Sequence, residues 1–120
     1  MNLLEAALDF RKFLEELALR KDLVEIHQEV SAHLEVAAIT RRVYEEKLPA
    51  PLFCNIREGM AGAKILGAPA GMVATPGKEY SRLALHFGLP SDSTPKDIVN
   101  KIRAAVKADP VEPEYCTTGP

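Results

Sequence analysis

Residues 34–56 read LEVAAITRRVYEEKLPAPLFCNI, and this stretch decides the fold because it combines a helix, a turn and a strand. Ser31 precedes it as a predicted N-cap, since a serine hydroxyl can accept a hydrogen bond from the free N–H groups of a first helical turn. We expect the helix to run to about Lys47. Its predicted buried face consists of Leu34, Ala38, Ile39 and Val43. Pro49 and Pro51 then end the helix, because proline lacks the N–H group that a helix needs.

The letters after the helix, PLFCNI, form a nearly continuous apolar run, which is typical of a strand covered on both faces. We predict that strand over residues 52–56 and a second strand over residues 63–66, joined as a hairpin. The connection that follows, residues 67–80, is rich in glycine and proline but contains neither GxGxxG nor GxxxxGKS/T. A phosphate-binding loop is therefore not supported, and we expect an irregular connection.

The helix within this stretch carries two adjacent arginines, Arg41 and Arg42. Each lies four residues before a glutamate, Glu45 or Glu46, and that spacing favours ion pairs along a solvated helix face. A contact with an anion or a partner protein is the alternative that the sequence leaves open. Arg41 and Arg42 are therefore the residues of the stretch that we single out for a functional contact.

Two elements are predicted upstream. Apolar residues recur at three- and four-residue steps over residues 3–19, which predicts an amphipathic helix. Asp9 offers an alternative, because as an N-cap it would split a short leader from a main helix. The alternation in LVEIHQEV, residues 23–30, then predicts a half-buried strand whose inward residues are Val24 and Ile26.

Two helices are predicted downstream. The first covers residues 78–87 and stops at Gly88, a residue suited to a helix end. The second starts with Thr94 as N-cap, Pro95 at the first helical position and Asp97 completing a capping box. Their predicted buried faces are Tyr80, Leu83, Ala84 and Phe87 in the first, and Ile98, Val99, Ile102 and Val106 in the second.

The chain of 120 residues has the size of one domain, and its 47% hydrophobic and 27% charged residues are typical of a folded protein. We predict an α+β (α/β) fold with helices packed on a small mixed sheet, in a single domain of residues 1–108. Residues 109–120, DPVEPEYCTTGP, are proline-rich and lack periodicity. They predict an extended linker.

Composition excludes several partners. The formal net charge is −2 and the charges are interspersed, so the basic surface that nucleic acid requires is missing. The apolar runs are far shorter than the roughly 20 residues of a membrane span. The first residues do not follow the pattern of a signal peptide, and we therefore expect a cytoplasmic protein without a membrane partner.

The residues that could carry chemistry show no supporting pattern. The histidines His27, His33 and His86 belong to no HExxH or Cys/His cluster, and no GxSxG is present. Cys54 and Cys116 belong to no CxxC pair and are predicted to be free thiols. We accordingly predict no catalytic, cofactor-binding or metal-binding residue in this chain.

Residues 22–56, together with the later strings ILGAPAG, YSRLALHFGLP and TTGP, resemble the N-terminal region of the UbiD family of reversible decarboxylases. The resemblance covers nearly the whole chain and is strongest to the fungal ferulic or phenylacrylic acid decarboxylases. It implies decarboxylation of aromatic α,β-unsaturated acids such as ferulic and cinnamic acid, with prenylated FMN, manganese and potassium. The family's catalytic Glu-Arg-Glu set and its cofactor ligands lie after the proline-rich linker. Neither Arg41 nor Arg42 corresponds to the family's catalytic arginine.

Three interpretations follow from the resemblance. The chain is the N-terminal domain of a UbiD-like decarboxylase, inactive alone and packed against the cofactor-binding remainder of the enzyme. Alternatively, it is a stand-alone binding or regulatory protein that associates with a full-length homologue, or with itself, through exposed apolar surface. A small enzyme with an unrecognised site is the third interpretation, and no residue spacing supports it.

Overall fold

The computed structural model describes residues 2–119, which form five helices and three strands. In chain order these are α1 (Leu3–Leu8), α2 (Phe10–Leu19), β1 (Leu23–Ile26), α3 (Glu35–Glu46), β2 (Ala50–Phe53), β3 (Ile65–Leu66), α4 (Ser81–Leu85) and α5 (Pro95–Val106). One sheet has the order β1-β2-β3, with β1 parallel and β3 antiparallel to β2. The predicted fold, helices on a small mixed sheet, is confirmed. None of these helices is long and apolar enough to cross a bilayer.

The central strand β2 begins earlier than predicted and includes Pro51. Ala50 and Cys54 donate their N–H groups to the carbonyls of Asp22 and Ile26 on the β1 side. Alternate residues of a strand direct their N–H groups to opposite sides, so Pro51 lacks only the donor that would face β3. The predicted hairpin of β2 and β3 is confirmed.

The edge strand β1 is shorter than predicted and ends at Ile26, with one further bridge from Val30 to Ile56. Val24 was predicted to face inward, and this prediction is wrong, because its side chain is 48% exposed. The reason is that α3 packs over β2 and leaves the outer strand largely open on that side. Ile26 is half-buried.

The core lies between the sheet and helices α1, α2 and α4. The alternative break at Asp9 is correct, because its carboxylate accepts hydrogen bonds from the N–H groups of Arg11 (2.9 Å) and Lys12 (3.1 Å) and caps α2. The two helices pack against each other, and α2 also contacts β1. The buried cluster consists of Ala6, Phe13, Leu17, Ala50 and Leu85.

Helix α3 begins later than predicted. Ser31 does accept a hydrogen bond from the N–H group of His33 at 3.1 Å, but the helix starts at Glu35, after Leu34 in a left-handed conformation with φ of 71°. Ser31 is therefore not its N-cap. Of the predicted face, Val43 is buried and Ile39 is half-buried, whereas Ala38 and Leu34, which precedes the helix, are exposed.

Helix α4 covers only part of the predicted range, and Gly88 ends this segment with φ of 67° as expected of a stop signal. Its buried side differs from the prediction. Ala84 is buried as predicted, but Tyr80, Leu83 and Phe87 are only half-buried, whereas Arg82 is fully buried. The physical reason is a pairing of the arginine with a distant carboxylate, described below.

Helix α5 starts as predicted, with a complete capping box between Thr94 and Asp97. The prediction of its buried face is largely wrong. Ile98 is buried, but Val99, Ile102 and Val106 are 51%, 44% and 80% exposed, because no other element of residues 2–119 covers that side. Residues 107–119 form no helix or strand. The division at residue 108 between a domain and a linker stays a prediction.

Candidate functional site

The most enclosed polar group is the guanidinium of Arg82. Its Nε and Nη2 atoms donate to the two carboxylate oxygens of Asp22, at 2.8 and 2.6 Å. Nη1 donates to the carbonyl of Ala68 at 2.9 Å and Nη2 also donates to the carbonyl of Leu48 at 3.0 Å. This arginine joins α4, the end of α2, the end of α3 and the loop after β3. All its nitrogens have protein partners, so its role is structural.

Arg41 and Arg42 take the positions that the spacing predicted. Arg41 donates to the carboxylate of Glu45 at 2.9 Å and Arg42 to that of Glu46 at 2.8 Å. Both arginines are exposed, and pairs of this kind contribute little to stability. The geometry matches a solvated helix face.

The three histidines lie in different places. His86 packs its ring 4.5 Å from that of Phe13, and its Nε2 lies 2.8 Å from the carbonyl of Pro69. His33 is exposed before α3, and His27 lies near the end of β1. The structure therefore does not bring them together into one site.

Sequence reasoning missed one grouping, formed by Glu25, His27 and Cys54. Their ligand atoms all lie within 4.8 Å of one another, because the parallel register places the residue after β1 beside the residue after β2. Thiolate, imidazole and carboxylate are donors that Zn²⁺ accepts. His27 and Glu25 are, however, mostly exposed, and their side chains are already 3.1 Å apart as a hydrogen-bonded pair. Only knowledge of the register could have revealed the grouping.

An open groove of about 580 Å³ lies between α3 and the segment of residues 65–69. Its lining is mainly apolar, and the hydroxyl of Thr40 is buried there without a hydrogen-bond partner. Gly67 makes this close packing feasible, because a Cβ atom on it would lie 2.6 Å from that hydroxyl. The titratable side chains of its lining are Arg41, Tyr44 and Glu45, and Arg41 is paired with Glu45 as described above.

An exposed apolar surface lies on α5. Val99, Ile102 and Val106 follow one another at three- and four-residue steps and so form one stripe along the helix. These observations point to a surface for contact with protein and not to a reaction centre.

Comparison with known proteins gives this chain a family. Residues 14–102 match the 3-octaprenyl-4-hydroxybenzoate carboxy-lyase N-terminal domain, UbiD_N. A pyrrole-2-carboxylic acid decarboxylase of Pseudomonas aeruginosa is 56% identical over 96% of the chain, and ferulic acid decarboxylase 1 of Saccharomyces cerevisiae is 39% identical over 94%. The chain spans 23% of the length of each of these two relatives.

A solved structure shows the same fold. The vanillic acid decarboxylase of Sedimentibacter hydroxybenzoicus superposes with a TM-score of 0.67 and 24% identity, over 88% of this chain and 21% of that one. The resemblance inferred from residues 22–56 is thus confirmed, although the bacterial relative shares more identity than the yeast enzyme. The chain belongs to the UbiD family, as a member of its N-terminal domain group.

Proposed function

We propose that this chain serves as the N-terminal domain of a UbiD-like decarboxylase and has no activity by itself. In the reaction of such an enzyme the bond between carbon and carboxylate breaks, carbon dioxide leaves and a proton takes its place. The observation that carries the proposal is the family match over residues 14–102, in a chain that spans 23% of the Pseudomonas relative.

The substrate class follows from the relatives. Their names specify pyrrole-2-carboxylic acid and ferulic acid, which are both conjugated carboxylic acids carried on or next to an aromatic ring. We propose that the parent enzyme acts on an acid of this kind. Pyrrole-2-carboxylate is the first substrate to test, because the bacterial relative has the higher identity. Cinnamate is the substrate to compare with it.

Prenylated FMN, manganese and potassium are the cofactors that family membership suggests for the whole enzyme. The residues of this chain do not fit them. Among residues 2–119 the one grouping of three metal-ligand side chains includes the Cys54 thiol, whereas Mn²⁺ favours oxygen donors. The glycine-containing loop of residues 67–77 also lacks the spacing of a phosphate cradle. We therefore propose that the cofactors bind to other parts of the parent enzyme.

Cys54 is half-buried and Cys116 is exposed, and both are free thiols. Free thiols support a reducing compartment for the protein. We propose a cytoplasmic location on this ground. Fractionation of cells that express a tagged chain would test it.

The proposal is tested with two samples. In the first, the purified chain is mixed with prenylated FMN, Mn²⁺, K⁺ and either cinnamate or pyrrole-2-carboxylate, and we expect neither carbon dioxide release nor bound flavin absorbance. In the second, the chain replaces the matching segment of the Pseudomonas enzyme, and we expect this hybrid to decarboxylate pyrrole-2-carboxylate. Turnover by the chain alone, or a folded hybrid without activity, would contradict the proposal.

A stand-alone binding protein is the second candidate function, and the exposed apolar side chains of α5 favour it. It predicts a stable complex between the separate chain and a full-length relative. Size-exclusion chromatography of the mixture distinguishes the two candidates, because a domain that functions only in cis gives no such complex.

A further inference from the structure

We propose that Glu25, His27 and Cys54 form a binding site for one zinc ion at the carboxyl ends of β1 and β2. The ion takes one oxygen, one nitrogen and one sulfur ligand from the chain and a water molecule as its fourth ligand. It links the edge strand β1 to the central strand β2. The site goes beyond the proposed function, because it concerns the sheet of this domain and no step of a decarboxylation.

The register of the two parallel strands brings the three side chains together. The last paired residues are Ile26 and Phe53, so that His27 and Cys54 follow them side by side. Alternate residues of a strand point to the same face, which places Glu25 on the face of His27. The three side chains therefore project from one side of the sheet, at the edge where both strands end.

The backbone holds this arrangement on both sides of the site. Before it, Cys54 donates its N–H group to the carbonyl of Ile26 at 2.9 Å. Beyond it, Val30 donates its N–H group to the carbonyl of Asn55 at 3.0 Å. The positions from which the ligands project are thus fixed by the fold, and metal binding requires rearrangement of side chains alone.

The donor atoms have nearly the spacing of one tetrahedral ion. Nε2 of His27 lies 3.1 Å from Oε2 of Glu25, and both atoms lie within 4.8 Å of the Cys54 sulfur. Tetrahedral zinc, with bonds of about 2.1 Å to N and O and 2.3 Å to S, separates its N and O ligands by about 3.4 Å and its N and S ligands by about 3.6 Å. The imidazole and the carboxylate already stand almost at that distance. The sulfur must come closer by about 1 Å at most, which rotation of the exposed Glu25 and His27 side chains can provide.

The existing hydrogen bond between His27 and Glu25 is a weak competitor of the ion. The two side chains are 72% and 51% exposed, and an exposed pair of this kind contributes little free energy. Zinc replaces the proton that the pair shares and keeps both groups in place. The thiolate of Cys54 and the carboxylate of Glu25 together balance the two positive charges of the ion.

The donor set selects zinc over harder divalent cations. Thiolate is a soft ligand that suits Zn²⁺, whereas Mg²⁺ and Mn²⁺ favour carboxylate, carbonyl and water oxygens. Cys54 is half-buried and the other two ligands are exposed, so the ion can enter from solvent. Three protein ligands leave the fourth tetrahedral position for a water molecule.

The test titrates Zn²⁺ into the purified, reduced chain and measures binding by isothermal titration calorimetry. We expect one zinc ion per chain. Cys54→Ser and His27→Gln should weaken binding at least a hundredfold and Glu25→Gln at least tenfold, because each removes one ligand. The matched controls are Cys116→Ser and His33→Gln, which change an exposed thiol and an exposed imidazole outside the site and should leave the affinity unchanged. All five substituted side chains are exposed or half-buried, so we expect each variant to keep the circular dichroism of the parent.

Cobalt identifies the ligand atoms without any variant. Co²⁺ binds the same kinds of ligand as Zn²⁺ but more weakly. We expect the chain with Co²⁺ to show a thiolate-to-cobalt charge-transfer band in the near ultraviolet and the intense visible bands of tetrahedral cobalt. Equimolar Zn²⁺ should remove both. A cobalt spectrum that lacks the thiolate band would overturn the proposal, because Cys54 would then not be a ligand.

Hydrogen exchange tests whether the ion links the two strands. We expect zinc to slow exchange of the β1 amides at least tenfold in the unsubstituted chain and to have no effect in Cys54→Ser. Three results of the titration would overturn the proposal. The first is that the unsubstituted chain binds no zinc at micromolar concentration, and the second is that Cys54→Ser or His27→Gln binds it undiminished, which is adventitious binding only. The third is one zinc ion per two chains, because the site would then lie between copies.

Discussion

Arg82 and Asp22 lie 60 residues apart in the sequence and meet as a buried, two-point ion pair. Arg82 is fully inaccessible to solvent, and the carboxylate of Asp22 accepts hydrogen bonds from the Nε and Nη2 atoms of Arg82. Two backbone carbonyls, of Ala68 and Leu48, accept further hydrogen bonds from Nη1 and Nη2. A short helix, two loops and the start of the sheet are thereby held at one point.

Replacing Asp22 with Asn is expected to lower the free energy of unfolding by about 3–5 kcal/mol, because it leaves the buried guanidinium without its counter-charge. Urea unfolding followed by circular dichroism measures the change. Arg42→Gln is the control, since it breaks an exposed pair and should cost less than about 1 kcal/mol. Equal effects of the two substitutions would contradict the structural role of Arg82.

A double substitution tests how Arg82 stabilises the fold. Asp22→Leu combined with Arg82→Met removes both charges, and apolar replacement of a buried pair is often neutral. Recovery should nevertheless be incomplete here, because the carbonyls of Ala68 and Leu48 lose their donors. We expect the double variant to lie between the wild type and Asp22→Asn in urea midpoint.

Gly88→Ala is expected to be more destabilising than Gly62→Ala. Both glycines have positive φ, 67° and 81°, so alanine at either position costs about 1–2 kcal/mol of backbone strain. A Cβ atom on Gly88 would in addition lie 3.3 Å from the Cα of Leu4, whereas one on Gly62 meets nothing within 4 Å. The difference in melting temperature between the Gly88→Ala and Gly62→Ala variants measures the cost of the contact between the end of α4 and α1.

Thr94→Ala should weaken α5 locally and leave the rest of the fold unchanged. The substitution removes an N-cap hydrogen bond, which contributes about 1 kcal/mol to helix stability. Because Ile98 is the only buried residue of α5, the loss is expected in the amide exchange of residues 95–106 and not in the global melting temperature. Thr94→Ser keeps the hydroxyl and should behave like the wild type.

Local chemistry explains which features the sequence could predict. The start of α5 depends on Thr94, Pro95 and Asp97, which are neighbours in the chain, and the break at Asp9 likewise depends on the two N–H groups that follow it. The helix, turn and strand of residues 34–56 are similarly specified by nearby residues. These predictions required no knowledge of the tertiary structure.

The features that sequence reasoning missed depend on distant pairings. A charged arginine in α4 gave no sign that Asp22 would neutralise it, and the grouping of Glu25, His27 and Cys54 requires the register of two strands. Periodicity correctly identified the apolar stripe of α5. Periodicity could not show whether another element of this chain packs against that stripe. The prediction that the stripe is buried was wrong for this reason.

The turn that contains Glu58 should stabilise the fold in a pH-dependent manner. The hydroxyl of Ser31 and the N–H group of Ala32 donate to its carboxylate, and these hydrogen bonds lower the pKa of Glu58 below its ordinary value. A carboxyl whose pKa is lower in the folded state stabilises that state above the pKa of the unfolded chain, and this contribution is lost as the pH falls through the folded pKa. We expect Ser31→Ala to raise the NMR titration midpoint of Glu58, because it removes the larger of the two causes. Ser93→Ala is the control, because it changes a serine without contact to Glu58, and it should leave the titration midpoint of Glu58 unchanged. An unchanged midpoint in Ser31→Ala would show that the Ser31 hydroxyl does not hold this carboxylate.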